Sequence, residues 1–284
     1  MRQTVIMTLG LATAAVAAIC YGVGSILQAA AARGTAQVDG LDPRLLVRLL
    51  KSWKYLLGVG LDGLGFLLGL VAVRSLPLFV VQSIVASFLA ITAILGAIFL
   101  KMPLSRRDKV GIAVVVVGLV LVGSSAAEDT EVAVSAAETW GVLIAAVALV
   151  VLAIPAARLT GAAGATAMGS VAGLAFGATA VAARMLPDDL AAIPASPATW
   201  ALLLGGVTAL LTYSVALQRG TVTQATAPVV VGETIAPAIV GLTLLGDAPR
   251  PGWGIVAAIG FVLAVAGAVS LARHGEIEEE APTT

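Results

Sequence analysis

Long apolar stretches separated by short polar segments dominate the hydrophobic pattern of this chain. A helix that crosses the hydrocarbon core of a bilayer needs about 20 mostly apolar residues. By that criterion the pattern predicts nine transmembrane helices, at residues 5–31, 54–73, 76–100, 110–122, 140–156, 161–184, 200–217, 222–245 and 253–271. We therefore expect an all-α polytopic membrane protein.

The segment between the first two predicted spans is amphipathic. Residues 33–54 begin and end with a basic residue and also contain Arg44, Arg48 and Lys51 among several leucines. A helix with this pattern lies in the plane of the membrane interface. Five positive charges would be too costly to place in lipid. We interpret this segment as an interfacial helix, so the number of predicted spans stays at nine.

Composition excludes several other classes of protein. The 284 residues are 60% hydrophobic and 11% charged, whereas soluble domains contain about 25% charged residues. The 16 basic and 16 acidic residues cancel and only 5% are aromatic, so we expect no nucleic-acid partner. The only cysteine is Cys20 and the only histidine is His274. One of each cannot form a disulfide or a Cys/His metal centre, and we expect no cofactor and assign no metal site.

The distribution of basic residues predicts the orientation of the chain. When the loops are assigned alternately to the two sides of the membrane, 12 of the 16 Lys and Arg residues fall on one side. The positive-inside rule makes that side cytoplasmic. We therefore expect a multi-pass protein of the plasma (inner) membrane, with its N-terminus outside and its acidic C-terminal tail in the cytoplasm. Arginines at the span ends are explained by snorkelling to the interface: Arg74, Arg184, Arg219 and Arg250.

Three short matches relate the first four spans to the last four, in the same order. Residues 19–25 (ICYGVGS) align with residues 174–180 (LAFGATA). The second and seventh spans both end near an arginine, and the fourth and ninth spans each contain two glycines seven residues apart. The offset of five helices is odd, so the two halves would have opposite orientations. Such inverted repeats are typical of secondary transporters.

This repeat divides the chain into four parts. Residues 1–127 form the first repeat and include the interfacial segment, and residues 128–160 form an external acidic loop and a connector helix. Residues 161–272 form the second repeat, and residues 273–284 form the acidic tail. The predicted architecture is thus four helices, one connector and four inverted helices.

Two acidic residues lie within predicted spans, and ionisable groups at bilayer depth are functional candidates by default. Asp62 shares a helix face with Gly58, Gly65 and Gly69, which predicts close packing against another helix. We interpret Asp62 as a binding group for a proton, a metal ion or a cationic substrate. The alternative is a structural carboxyl group that is protonated or hydrogen-bonded between helices.

Glu233 is the second candidate and carries the same two interpretations. It lies between Pro228 and Pro237 in the eighth predicted span. Prolines remove backbone hydrogen bonds, so we expect an interrupted helix here, with free carbonyls near a cation or substrate.

Polar side chains on other spans are secondary candidates for the binding site, with interhelical hydrogen bonding as the structural alternative for each. They are Tyr21, Ser25, Gln28, Gln82, Thr179, Tyr213 and Thr226.

Signals for an enzyme are weak. Residues 58–63 match the G-x-G-x-x-G pattern, but they lie inside a predicted span and follow no strand. The lone His274 follows the last span, where it cannot serve as the base of a serine protease inside the bundle. Only Asp62 is an aspartate clearly within a span, whereas an aspartyl protease needs two. We expect no enzymatic activity.

At the level of motifs the chain resembles the drug/metabolite transporter superfamily of the EamA type. The resemblance rests on the repeat, residues 21–25 (YGVGS), the arginines at the ends of the second and seventh spans, and residues 100–104 (LKMPL) followed by Gly111 and Gly118. It implies an all-helical transporter with an inverted repeat.

Within that superfamily the chain is similar to the NIPA-type magnesium transporter branch. The similarity rests on the basic loop after the first span and on residues 170–174 (SVAGL). That branch carries Glu and Asn in its second span, where this chain has Phe66 and Gly69. The acidic residue that the superfamily has after the third span of a repeat is Asp247 in the second half and Met102 in the first.

Together these observations predict secondary active transport of a small metabolite or drug-like molecule by alternating access, coupled to protons or cations. Three alternatives stay open: a divalent-cation transporter of the magnesium type, a flippase for a lipid-linked sugar, and a non-transporting accessory subunit. The expected partners are the small-molecule or ion substrate and the lipid bilayer, and small residues on the spans permit a homodimer.

Overall fold

Helices form nearly all of the regular structure. The computed structural model describes residues 2–33, 52–99, 101, 104–127, 134–189, 191–220 and 222–271. Most of the predicted interfacial helix at 33–54, part of the acidic loop and the tail at 273–284 lie outside these residues. Within them, the only strand-like pairing is an isolated antiparallel bridge between Ala126 and Pro249.

Nine helices in the described ranges are long and apolar enough to cross a membrane, as the hydrophobic pattern predicted. We call them the first to the ninth span. The helices are Arg2–Arg33, Trp53–Val73, Leu78–Ala86 with Phe88–Phe99 as the third span, Arg106–Ser125, Ala136–Ala156, Gly161–Arg184, Pro197–Arg219, Val222–Thr243 and Gly254–Leu271. A short 3-10 helix at Ile193–Ala195 precedes the seventh span.

The fourth and fifth spans begin four residues upstream of their predicted starts, because capping boxes extend them. Ser105 Oγ accepts a hydrogen bond from Asp108 N (3.2 Å), and Ser105 N donates to Asp108 Oδ2 (2.8 Å). Ser135 and Glu138 form the same arrangement at the fifth span. These polar residues satisfy backbone donors at the helix start, whereas a prediction from apolar positions begins only where the polar turn ends.

The break in helical structure lies in the third span and not in the eighth. The third span is interrupted at Ser87, whose N–H and side-chain hydroxyl both donate to Ile84 O. The expected interruption of the eighth span is wrong, since Val222–Thr243 is one continuous helix with Pro228 and Pro237 inside it. Each proline removes a single backbone hydrogen bond, and packing against neighbouring helices can hold the helix together around it.

Glycines allow several pairs of spans to make backbone contact. The most extensive pairings are first with second, sixth with seventh, sixth with eighth and fourth with ninth. In the last pair a methyl group at Gly118 would lie 2.4 Å from Ala264 N, and one at Gly260 would lie 2.8 Å from Val122 N. The glycines on which the predicted repeat partly rests therefore face one another across an antiparallel helix pair.

Candidate functional site

Asp62 is held in the tightly packed interface between the first and second spans. A methyl group at Gly24 would lie 2.5 Å from Asp62 Oδ1 and 3.0 Å from Gly58 O. Gly65 is also buried against the first span, but a methyl group at Gly69 would meet no neighbour within 4 Å. The predicted glycine face thus contacts the first span at Gly58 and Gly65 and does not extend to Gly69. Because Gly24 has no side chain, the carboxyl group of Asp62 can lie against the first span at this point.

Tyr21 connects this interface to the break in the third span. A methyl group at Gly65 would lie 3.2 Å from Cε1 and Cζ of the Tyr21 ring. The ring also makes an edge contact with Phe88, with 6.2 Å between centroids and 64° between planes. Phe88 begins the second half of the third span directly after Ser87. Irregular backbone at membrane depth is tolerated only where it is buried in protein or lines a cavity. Here the break lies beside Tyr21.

The Tyr21 side chain interacts electrostatically with both carboxylates that the sequence predicted as site residues. Its hydroxyl lies within electrostatic range of both Asp62 on the second span and Glu233 on the eighth span. Charges interact strongly in such surroundings because the effective dielectric constant of a protein interior is far below that of water. The two acidic candidates from opposite halves of the sequence therefore influence the same phenol group.

Glu233 lies deep within the bundle. It nevertheless keeps an intermediate accessible surface. Because proline has no N–H, Pro237 cannot donate the usual helical hydrogen bond to the Glu233 carbonyl. The Glu233 carbonyl therefore lacks its usual helical donor, and the side-chain carboxylate adds further oxygen acceptors at this point of the span.

Tyr213 and Thr226 extend this group of interacting residues to the seventh span. Their hydroxyl groups are 2.9 Å apart and link the seventh span to the eighth. The Tyr213 hydroxyl also lies within electrostatic range of Glu233. One hydrogen bond and electrostatic interactions over longer range thus connect five of the predicted site residues: Tyr21, Asp62, Tyr213, Thr226 and Glu233.

The other predicted residues take different positions. Ser25 donates to Tyr21 O (2.8 Å), and Thr179 donates to Ala175 O (2.9 Å). Their hydroxyl hydrogens are therefore used within their own helices. Thr179 is buried against Gly205 of the seventh span, where a methyl group would lie 2.7 Å from its Oγ1. Gln82 is buried in the first half of the third span. The side chain of Gln28 lies outside the described part of the structure.

Sequence reasoning missed two features. Thr92, one turn after Phe88, has a buried hydroxyl with no hydrogen-bond partner among the described residues. Arg184, which was explained by snorkelling, instead forms a buried ion pair with Asp247. The only sequence signal for that pair was an acidic residue after the eighth span. The chain gives no local indication that a distant arginine would reach it.

The chemistry available in this neighbourhood is that of carboxylates, phenols and a hydroxyl. Across the ranges that the structure describes, no group of three or more His, Cys, Asp or Glu side chains could hold a metal ion. Comparison with protein-family models, with curated proteins and with solved structures gave no match.

Proposed function

We propose that this protein is a secondary active transporter that binds a small metabolite or drug-like molecule near Tyr21, Asp62 and Glu233 and is coupled to protons or cations. The observation that carries the proposal is the position of the Tyr21 hydroxyl within electrostatic range of both carboxylates. Ionisable groups in membrane spans are expensive and typically mark substrate, ion or proton pathways. The nine apolar helices are consistent with a multi-pass membrane protein.

Alternating access would follow from movement of the two halves about this neighbourhood. Asp62 belongs to the first four spans and Glu233 to the last four, so movement of the halves would change the distance between the carboxylates. A proton or cation held by Glu233 in one state would be released in the other. We propose Glu233 as the main coupling group and Asp62 as its partner.

The proposed inverted repeat is supported by which helices pair. The first span packs on the second as the sixth packs on the seventh, and the fourth packs on the ninth. An inverted repeat of four, one and four helices predicts these equivalent pairs. We accordingly propose membership of the EamA-type drug/metabolite transporters. The proposed location is the inner membrane with the N-terminus outside.

The test is a thermal-shift panel on purified protein with divalent cations, amines, amino acids and sugars at several pH values. A ligand that binds the native state raises its apparent stability. We expect one ligand class to stabilise the wild type but not Glu233→Gln. The matched control is Glu138→Gln, which changes the same residue type at an exposed capping box where glutamine also fits.

The panel also separates the rival functions. Stabilisation by Mg²⁺ alone, abolished in Glu233→Gln, would favour a divalent-cation transporter, and stabilisation by a lipid-linked sugar would favour a flippase. If no ligand and no change of pH separates Glu233→Gln from the wild type, the coupling role is contradicted. An accessory subunit would then be the better description.

A further inference from the structure

A groove with two arginines at one end lies between the fourth and ninth spans. It has a volume of about 410 Å³ and is lined by Arg106, Arg107, Val110, Gly111, Val114, Ala266, Gly267 and Ser270. This volume falls in the range of ligand-binding clefts, about 300–1,000 Å³. The groove lies away from Tyr21, Asp62 and Glu233, none of which lines it.

The floor of the groove is glycine backbone. A methyl group at Gly267 would lie 3.0 Å from Gly111 O and 2.9 Å from Val115 N, so the helices touch where side chains are missing. The walls are mostly apolar, with Val110 62% exposed. From Arg106 to Val114 the groove extends about 12 Å along the helix. It therefore extends from the charged end of the span into its apolar part.

The charged end has an excess of positive potential. Arg106 and Arg107 are exposed, and neither has an ion pair or a side-chain hydrogen bond to another described residue. Both lie in the first turn of the fourth span, where the helix dipole also favours an anion. The adjacent carboxylate, Asp108, is buried and accepts hydrogen bonds from Ser105 in the capping box.

We propose that this groove binds one anionic phospholipid, with its phosphate on Arg106 and Arg107 and an acyl chain along Val110, Val114 and Ala266. Charge complementarity selects the headgroup, and the apolar walls accommodate the chain at membrane depth. Basic pockets between transmembrane helices recognise anionic headgroups in this way. A second copy of the protein fits less well, because a two-fold contact here would bring four arginines together.

The experiment measures lipid retention by native mass spectrometry of the full-length protein in detergent. The protein is titrated with dioleoylphosphatidylglycerol or, as the neutral lipid, dioleoylphosphatidylcholine. The test variant is Arg106→Gln/Arg107→Gln. The matched control is Lys101→Gln/Lys109→Gln, which removes the same charge from exposed positions that do not line the groove.

Two further variants test the apolar part without changing charge. Ala266→Leu fills the groove from its wall, and Ala258→Leu adds the same side chain at an exposed position on the same span outside the groove. Removing a positive charge from a helix N-terminus is not destabilising in itself. If the arginine variant nevertheless fails to fold, the two alanine variants decide the question.

We expect phosphatidylglycerol to be retained in preference to phosphatidylcholine, with affinity about tenfold or more weaker in Arg106→Gln/Arg107→Gln. Ala266→Leu should also weaken retention, whereas the lysine and Ala258→Leu controls should not.

Equal losses in the arginine and lysine variants would overturn the proposal, since they would indicate diffuse surface charge. Competition by inorganic phosphate at equal concentration would indicate a free-anion site. A dimer that Ala266→Leu disrupts in the absence of lipid would indicate self-association. Either result would also overturn it.

Discussion

Arg184 and Asp247 form a buried ion pair, with 3.3 Å between Arg184 Nη2 and Asp247 Oδ1 and side-chain exposures of 5% and 1%. Arg184 Nη1 also donates to Val73 O and Leu76 O, at 2.6 Å each. Asp247 Oδ2 accepts from Leu78 N at 2.6 Å. The pair therefore links the ends of the second, sixth and eighth spans to the start of the third.

Replacing Asp247 should destabilise the fold strongly. Asp247→Asn removes the carboxylate charge that faces the buried Arg184 guanidinium, and losing one partner of a buried pair costs about 3–5 kcal/mol. The measurement is the free energy of unfolding in detergent. The control is Asp188→Asn, because Asp188 pairs with Arg74 at the surface, where its side chain is fully exposed. We expect little or no loss of stability there, because solvent screens an exposed ion pair, and equal effects at the two sites would contradict the structural role of the buried pair.

The contact between the fourth and ninth spans should not tolerate a side chain at Gly118. A methyl group there would lie 2.4 Å from Ala264 N, so Gly118→Ala must push the helices apart. We expect a lower melting temperature and a lower yield of folded protein. The control is Gly123→Ala on the same span, which has no neighbour within 4 Å. Alanine at that position should be neutral or stabilising by about 0.5–1 kcal/mol. A Gly118→Ala variant as stable as Gly123→Ala would contradict the packing.

Gly24 and Asp62 should behave as a coupled pair in ligand binding. The methyl group of Gly24→Ala would displace the Asp62 carboxylate, which lies 2.5 Å from that position. A hydrogen bond to a charged group contributes about 1.5 kcal/mol or more, so we expect affinity about tenfold weaker. Gly63→Ala on the second span meets nothing within 4 Å and should be silent.

A double-mutant cycle provides the decisive comparison for this pair. If Gly24→Ala acts through the carboxylate, it should have little further effect on binding when Asp62→Ala is already present. Strictly additive losses would mean that Gly24 and Asp62 act independently.

Tyr213 should matter more for ligand binding than its hydrogen-bond partner Thr226. Tyr213→Phe and Thr226→Val each remove the 2.9 Å contact between their hydroxyls. Either change should lower the free energy of unfolding by about 0.6 kcal/mol, a typical interhelical hydrogen bond. Since Tyr213 is also within electrostatic range of Glu233, only Tyr213→Phe should weaken ligand-induced stabilisation further. Identical ligand responses of the two variants would restrict Tyr213 to a structural role.

The hydroxyl of Thr92, which has no partner among the described residues, should reduce stability. Thr92→Val keeps the shape of the side chain and removes a buried polar atom. We expect the free energy of unfolding to rise by about 1 kcal/mol. Thr208 provides the control, because its hydroxyl donates to Leu204 O at 2.7 Å and Thr208→Val should bring no such gain. A loss of stability in Thr92→Val would show that its hydroxyl has a favourable partner.

The membrane spans could be predicted well from sequence, and the candidate site only in part. Transfer of a helix into lipid depends on the summed polarity of neighbouring residues, so the nine apolar helices of the described ranges are visible in the chain itself. The same local reasoning singled out Asp62 and Glu233 as ionisable groups at depth. It misplaced the helix break, because prolines are a local signal, whereas the interruption at Ser87 has no proline and lies next to the contact between Phe88 and the distant Tyr21.

The sequence by itself determined the helical class, the positions of the nine apolar helices in the described ranges, the residues that are costly in lipid and the glycine spacings. Only the tertiary structure decided which helices pair, that Tyr21 lies near both carboxylates, and that Arg184 reaches Asp247. The physical reason is one of range. Hydropathy and propensity depend on residues within a few turns, whereas these contacts join residues far apart in the chain, and their geometry is set by how the helices pack.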